Sequence, residues 1–322
     1  MRCPECRQQT ADVGPFCVGC GAPTGMPGHL AYPVAPRPRP AIWRRPEIIA
    51  FAASVALISL LTAITVISGK SGRPATRATP ALQATSAGWT YTTGSYIDTR
   101  PAVAGGTVYA GSDDGTVYAL DAATGGLRWT YTAGDSVSDP AVASGTVYVG
   151  SMDFKVYALD AATGRLRWAY TAADMVDSSP AVAGGTVYVS GDDGKVCALD
   201  AATGRLRWAY AAGGSVSDPA VAGGTVYIGG HGGRVSALNA ATGRLRWTYT
   251  TGDMIDWCPA VAGGAVYVVS HYGKVYALDA ATGHLRWVYT TGIMPDSGPA
   301  AARGTVYVGS EDNKVYALNA RS

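Results

Sequence analysis

From residue 89 onward the apolar positions fall into short runs closed by Gly, Asp, Asn or Thr, and the same order of runs recurs along the chain. The copy from Pro140 to Tyr170 is typical: PAVASG, then TVYVGS, then KVYALDAATG, then RLRWAY. Val, Tyr and Thr alternating between turn signals predict β-strands, four to a copy, here termed A, B, C and D. Gly145 closes the A–B turn, the region of Asp153 turns B into C, and Thr163-Gly164 turns C into D, each at a spacing suited to a hairpin. Trp89, Trp129, Trp168, Trp208, Trp247 and Trp287 mark the D strands at intervals of 40, 39, 40, 39 and 40 residues, which is the size of a propeller blade. The first recognisable strand is a D strand, Trp89 to Thr92, and the last is a C strand, Lys314 to Asn319. Six D strands match six A–B–C sets only if the N-terminal one completes the final blade. The expected fold is therefore all-β: a six-bladed β-propeller of four-stranded blades over 89–322, closed into a monomeric ring by its N-terminal strand.

The C–D junctions carry Asp121, Asp160, Asp200, Asn239 and Asp279, each followed by Ala-Ala-Thr-Gly, and the D-strand Trp follows shortly after. ALDAATGRLRW at Ala158 to Trp168, and again at Ala198 to Trp208, resembles the tryptophan-docking motif of quinoprotein-type propellers, the PQQ-binding-like repeat family. Physically, a Trp on an outer strand can stack on the neighbouring blade while Asp and Thr satisfy backbone groups of the turn. These residues are read as framework.

The pattern upstream is different. Ile48 to Ser68 is a run of 21 residues without a charge, about 31 Å long as a helix and enough to cross a bilayer. This predicts one transmembrane α-helix at 47–68, too long and too far from Met1 to be a cleaved signal. Residues 26–46, rich in Pro and Arg, read as a stiff linker, and 69–88, rich in Ala, Thr, Pro and Ser, as a flexible spacer. At the start, Cys3 and Cys6 in CPEC and Cys17 and Cys20 in CVGC have the spacing of two zinc knuckles. Four thiolates without a fifth ligand imply a structural zinc in a ribbon over 1–25, which resembles the short zinc ribbons that begin many bacterial membrane proteins. Basic residues flank the apolar run almost equally, four before and three after, so the orientation rests on the thiolates. Zinc-bound cysteines favour a reducing cytosol, which puts the N-terminus inside the cell membrane and the propeller outside it.

Charge divides with the segments. Residues 1–88 carry nine Lys or Arg against three Asp or Glu; residues 89–322 carry sixteen against twenty. An acidic, Gly-rich repeat domain argues against nucleic acid as a partner. Comparing the copies separates framework from surface: the A–B and C–D turns barely change, whereas the B–C tips and D–A loops differ and fall together on one rim, where recognition is expected. Asp98, Asp139, Asp177, Asp218, Asp256 and Asp296 precede the six A strands, and Trp257 follows one of them. They are read either as caps of their own loops or as a ring of carboxylates at the mouth of a central channel, suited to a cation or a basic partner. His231 and His271 lie on neighbouring blades about 10 Å apart, which argues against a shared ion.

The resemblance raises two function classes. A PQQ-dependent quinoprotein dehydrogenase-like enzyme would be expected to have about eight blades, long insertions carrying calcium ligands, a catalytic Asp and often a vicinal Cys pair. This chain has near-uniform repeats, and Cys197 and Cys258 stand sixty-one residues apart. The expected reading is a non-catalytic scaffold binding a protein or small ligand at the rim, without PQQ, similar in fold to the family member that assists outer-membrane barrel assembly.

Overall fold

The computed structural model describes residues 88–291, 295 and 297–321. The zinc-ribbon cysteines, the linker, the apolar run 47–68 and nearly all of the spacer lie outside them. Among the described residues no helix is long and apolar enough to cross a membrane.

Each repeat folds as an antiparallel sheet in the order A–B–C–D. In the second, Ala141–Ala143 pairs with Thr146–Ser151, that strand with Lys155–Asp160, and that one with Leu166–Thr171. Two residues with positive φ, Ser144 and Gly145, make the A–B hairpin, the mirror-image turn whose twist matches the strands it joins. Between C and D the register slips: Ala158 pairs with Trp168 and Leu159 with Leu166. Arg167 is thus the extra residue of a β-bulge. The bulge turns its guanidinium onto the C–D turn, 2.7 Å from Asp160 Oδ2 and 2.6 Å from Thr146 Oγ1. Asp160 Oδ1 meanwhile accepts the backbone N–H groups of Ala162 and Thr163. The motif is a hydrogen-bonded knot, as its sequence suggests.

Strand patterns follow from position. B strands such as Thr146–Ser151 are buried at every residue because a blade covers each face, whereas D strands such as Leu166–Thr171 alternate, having only one covered face. The apolar core is accordingly a series of layers between successive blades. In one, Tyr109, Val117 and Trp129 of the first blade meet Val147, Val149 and Leu159 of the second. The inner strands follow suit, each packing on the next from Ala102–Ala104 round to Ala300–Ala302.

The end of the array departs from the sequence expectation. Five sheets have four strands; the last has three, Ala300–Ala302, Thr305–Ser310 and Lys314–Asn319. Trp89–Thr92 forms no strand with it. The segment lies on the first blade instead, with Trp89 Nε1 donating to Ala122 O at 3.1 Å and Tyr91 packed on Tyr118 at 5.8 Å. Ring closure by the N-terminal strand is therefore not made. The side-chain dock formed, and the backbone pairing across the ends of the array did not.

Candidate functional site

The D–A loops converge. Asp98, Asp139, Asp177, Asp218 and Asp256 line one cavity of about 590 Å³, and Trp257, Cys258 and Pro259 form part of its wall. Asp296 lies outside the described residues; its neighbours Ser297 and Gly298 line the same cavity. A proline opens each A strand, fixing the backbone where each loop enters its blade.

The carboxylates are of two kinds. Asp98, Asp177 and Asp256 stand three residues before that proline; Asp139 and Asp218 stand immediately before it. The second kind does cap backbone, but on the preceding blade: Asp139 Oδ1 accepts the Arg100 N–H at 2.9 Å, and Asp218 Oδ1 accepts the Ser179 N–H at 2.9 Å. For Asp139 and Asp218 the backbone capped is thus that of another loop, not of their own. Arg100 occupies the same pre-proline position as these two. Its Nε reaches Asp139 Oδ2 at 2.6 Å and its Nη2 lies 3.5 Å from Asp218 Oδ2. Loops of the first, second and fourth repeats thus meet on one guanidinium. Sequence reasoning missed it, although an Arg in a position that other repeats give to Asp was the available signal.

The first kind is poorly compensated. Burial in the concave mouth, then the charges of Asp192 and Asp218, push the Asp177 carboxyl up to about 6, although its outer atoms still meet solvent. Burial, followed by Asp113, likewise raises Asp98. Burial also raises Asp218, against the pull of its Ser179 and Arg100 contacts. Asp256 sits between two histidines, His231 Nε2 at 3.2 Å from Oδ1 and His271 Nδ1 at 3.1 Å from Oδ2. Only the His271 contact has hydrogen-bond alignment; Asp256 Oδ1 is buried with no hydrogen-bond partner. The two histidines that sequence reasoning kept apart are thus joined through a carboxylate, which the D–A loop between them supplies.

Other candidates are structural. At the B–C tips, Asp114 and Asp312 accept the hydroxyls of Tyr118 and Tyr316 and the backbone N–H groups of Thr116 and Lys314. Burial, with Asp218 adding, pushes the Cys258 thiol up to about 12, so it stays protonated near neutral pH and is no nucleophile. Among the described residues no group of three His, Cys, Asp or Glu is arranged to hold a metal ion. The donor set is also wrong for PQQ, because the cavity would oppose a polycarboxylate cofactor with five carboxylates and one guanidinium already paired.

Radial four-stranded blades, each keyed to the next by tryptophan, define a tryptophan-docked β-propeller. A family model described as outer membrane protein assembly factor BamB matches residues 64–210 and 236–322, and the chain belongs to that family. No curated protein matches. Among solved structures, BamB from Moraxella catarrhalis is 23% identical with a TM-score of 0.62, over 73% of this chain and 77% of that one. The computationally designed Ika8 protein is 20% identical with a TM-score of 0.64, over 69% and 70%. A quinohemoprotein alcohol dehydrogenase from Pseudomonas putida HK5 is 24% identical with a TM-score of 0.52, over 61% of this chain and 42% of that one. These three likenesses establish the fold.

Proposed function

We propose that this chain is a membrane-anchored, extracytoplasmic, non-catalytic binding propeller whose acidic mouth recognises a basic segment of a partner protein. One observation carries the reading: the only cation seated among the carboxylates, as far as the described residues go, is the chain's own Arg100 guanidinium. That pairing is the chemistry by which an incoming Arg or Lys would be held at Asp177 and Asp256, with Trp257 as a stacking wall. The family description, an assembly factor, is in keeping with protein binding. The anchor rests on the uncharged run within 47–68, and the cytosolic zinc ribbon on the spacing of Cys3, Cys6, Cys17 and Cys20.

The test uses the full chain and two labelled peptides, one Arg/Lys-rich and one Asp/Glu-rich. The basic peptide should bind at least tenfold more tightly, weaken as salt rises, and lose that preference with Asp177→Asn, Asp256→Asn and Trp257→Ala combined. Equal binding of both peptides, or full retention by the triple variant, would remove the reading.

A further inference from the structure

The turns of the blades gather at two ends, and the ends differ in charge. At one of them Ala161 N donates to Gly145 O, which joins the C–D turn of the second blade to its A–B turn. The same turn takes a double lock from the first blade, Tyr109 Oη and Trp129 Nε1 both donating to Ala161 O at 3.0 Å. The same pair of donors meets Ala201 O, Ala240 O, Ala280 O and Ala320 O at the following junctions. What this end displays is therefore held in place. Among the described residues it carries ten Arg against four Asp, whereas the end formed by the B–C tips and D–A loops carries six Lys or Arg against fifteen Asp or Glu. A six-residue strand spans about 20 Å, more than twice the screening length of about 8 Å at physiological salt. A ligand at one end thus meets the charge of that end alone.

The four Asp of the basic end are already paired: Asp121, Asp160, Asp200 and Asp279 hold Arg128, Arg167, Arg207 and Arg286 at 2.6–2.8 Å. The other six, Arg165, Arg205, Arg244, Arg246, Arg303 and Arg321, are exposed and have no carboxylate partner among the described residues. Arg246 lacks one because Asn239 stands where the other complete junctions have Asp. Arg303 has a φ of 49° at a turn position that four repeats give to Gly, so it stands there against the preference of the backbone. Leu127, Leu166, Leu206, Leu245 and Leu285 open the D strands beside these turns and are each 43–49% exposed. At 165–167, 205–207 and 244–246 the exposed Leu has an exposed Arg on either side, a pairing that suits the boundary between headgroups and acyl chains. The chain also arrives at this end. Trp89 Nε1 donates to Ala122 O and its indole covers Gly125 in the first C–D turn, with twenty residues, 69–88, between it and the uncharged run.

We propose that the basic end docks on an anionic phospholipid surface, its six unpaired guanidinium groups on phosphate headgroups and its leucines against the interface. Arg is suited to this, because its planar fork matches the oxygens of a phosphate. Each basic residue near such a surface strengthens the attraction by roughly fivefold. A flexible spacer of twenty residues has a root-mean-square span of about 25 Å, so an anchored chain keeps the basic end within reach of its own bilayer. The inference rests on the anchored reading for that nearness, whereas the charge of the surface is independent of it. With this end on lipid, the acidic mouth at the opposite end is turned toward a partner.

The full chain is reconstituted into vesicles of phosphatidylcholine, with or without phosphatidylglycerol, that carry an acceptor dye on their headgroups. A donor dye is placed on Ala162→Cys at the basic end or on Gly232→Cys at the acidic end, and the unsubstituted chain sets the background from the native cysteines. Ala162 is exposed, and a Cβ at Gly232 meets nothing within 4 Å. With phosphatidylglycerol, energy transfer from position 162 should exceed that from 232 by about twofold or more, and the excess should vanish in high salt. It should also vanish on phosphatidylcholine alone and in the combined Arg165→Glu, Arg205→Glu and Arg244→Glu variant, while the three Lys variants combined retain it. Equal transfer from both ends on phosphatidylglycerol, or a preference indifferent to salt, would overturn the proposal. So would binding of polyglutamate at this end without any preference for phosphatidylglycerol, which would assign the surface to an acidic protein. Loss of the chain from both kinds of vesicle in an alkaline wash would refute the anchor alone. The unanchored chain must then still float with phosphatidylglycerol vesicles and not with phosphatidylcholine at low salt, or the docking surface is refuted as well.

Discussion

At the scale of single residues, Asp177 is placed against its own charge. Burial and two neighbouring carboxylates raise it to about 6, so the folded state holds a proton more tightly there than the unfolded chain does. For an acid shifted upward, linkage makes the ionised form a cost to the fold above about pH 6, and that cost fades as pH falls through the shifted value. Asp177→Asn should therefore be slightly more stable than the parent at pH 7.5, the gain kept small by the solvent that still reaches this side chain, with the advantage gone by pH 4. Urea melts at the two pH values check this, and an unchanged difference would show that the carboxylate is not strained. The C–D turn carboxylates have the opposite sign. Arg167 and the Thr163 contacts hold Asp160 down at about 2, so its contribution is present above the ordinary carboxylate range and lost as pH falls toward 2. Phe154 shows another residue-scale cost. It has a φ of 69° where most repeats place Gly, and its ring is exposed on the rim.

At the scale of strands and turns, the unit of stability is the tryptophan and the glycine beneath it. Trp168 lies 5.8 Å from the Tyr148 ring, donates to Ala201 O, and covers Gly204, where a Cβ would come within 2.6 Å of the indole. Removing it opens a void between two blades. Trp168→Ala should cost about 3–5 kcal/mol in denaturant unfolding, and Gly204→Ala should also destabilise, through both contact and a φ of 71°. A loss below about 1 kcal/mol for Trp168→Ala would mean that neighbouring strands carry the junction. This level was largely legible in the sequence, because a 39–40-residue period with fixed turn residues encodes local hairpins whose partners are near in the chain. The site was legible only in outline. All six Asp positions stood out, but the consequence of their two registers, with Arg100 answering Asp139, rests on a two-residue difference in where the carboxylate stands before its proline and on contacts between loops. The open end was not legible, since pairing residue 89 with residue 317 is a long-range event to which local pattern contributes nothing.

For the whole molecule, the proposal places a reduced, metal-bearing segment and an acidic propeller on opposite sides of a membrane. Protease added to intact cells should digest the propeller and leave a protected fragment containing Cys3 to Cys20 that retains one zinc per chain by metal analysis. Survival of the propeller with loss of that fragment would reverse the orientation.

The double lock on each alanine carbonyl has a consequence for how such a chain changes over generations. Every internal junction uses the same Tyr, Trp and Ala, and neither partner depends on where in the array it sits. Unequal recombination that excised one repeat, say Ala122 to Ala161, would fuse two flanks that already fit, and a duplication would do the same. Blade number is therefore free to drift without passing through a misfit intermediate. Only the two end surfaces register the change.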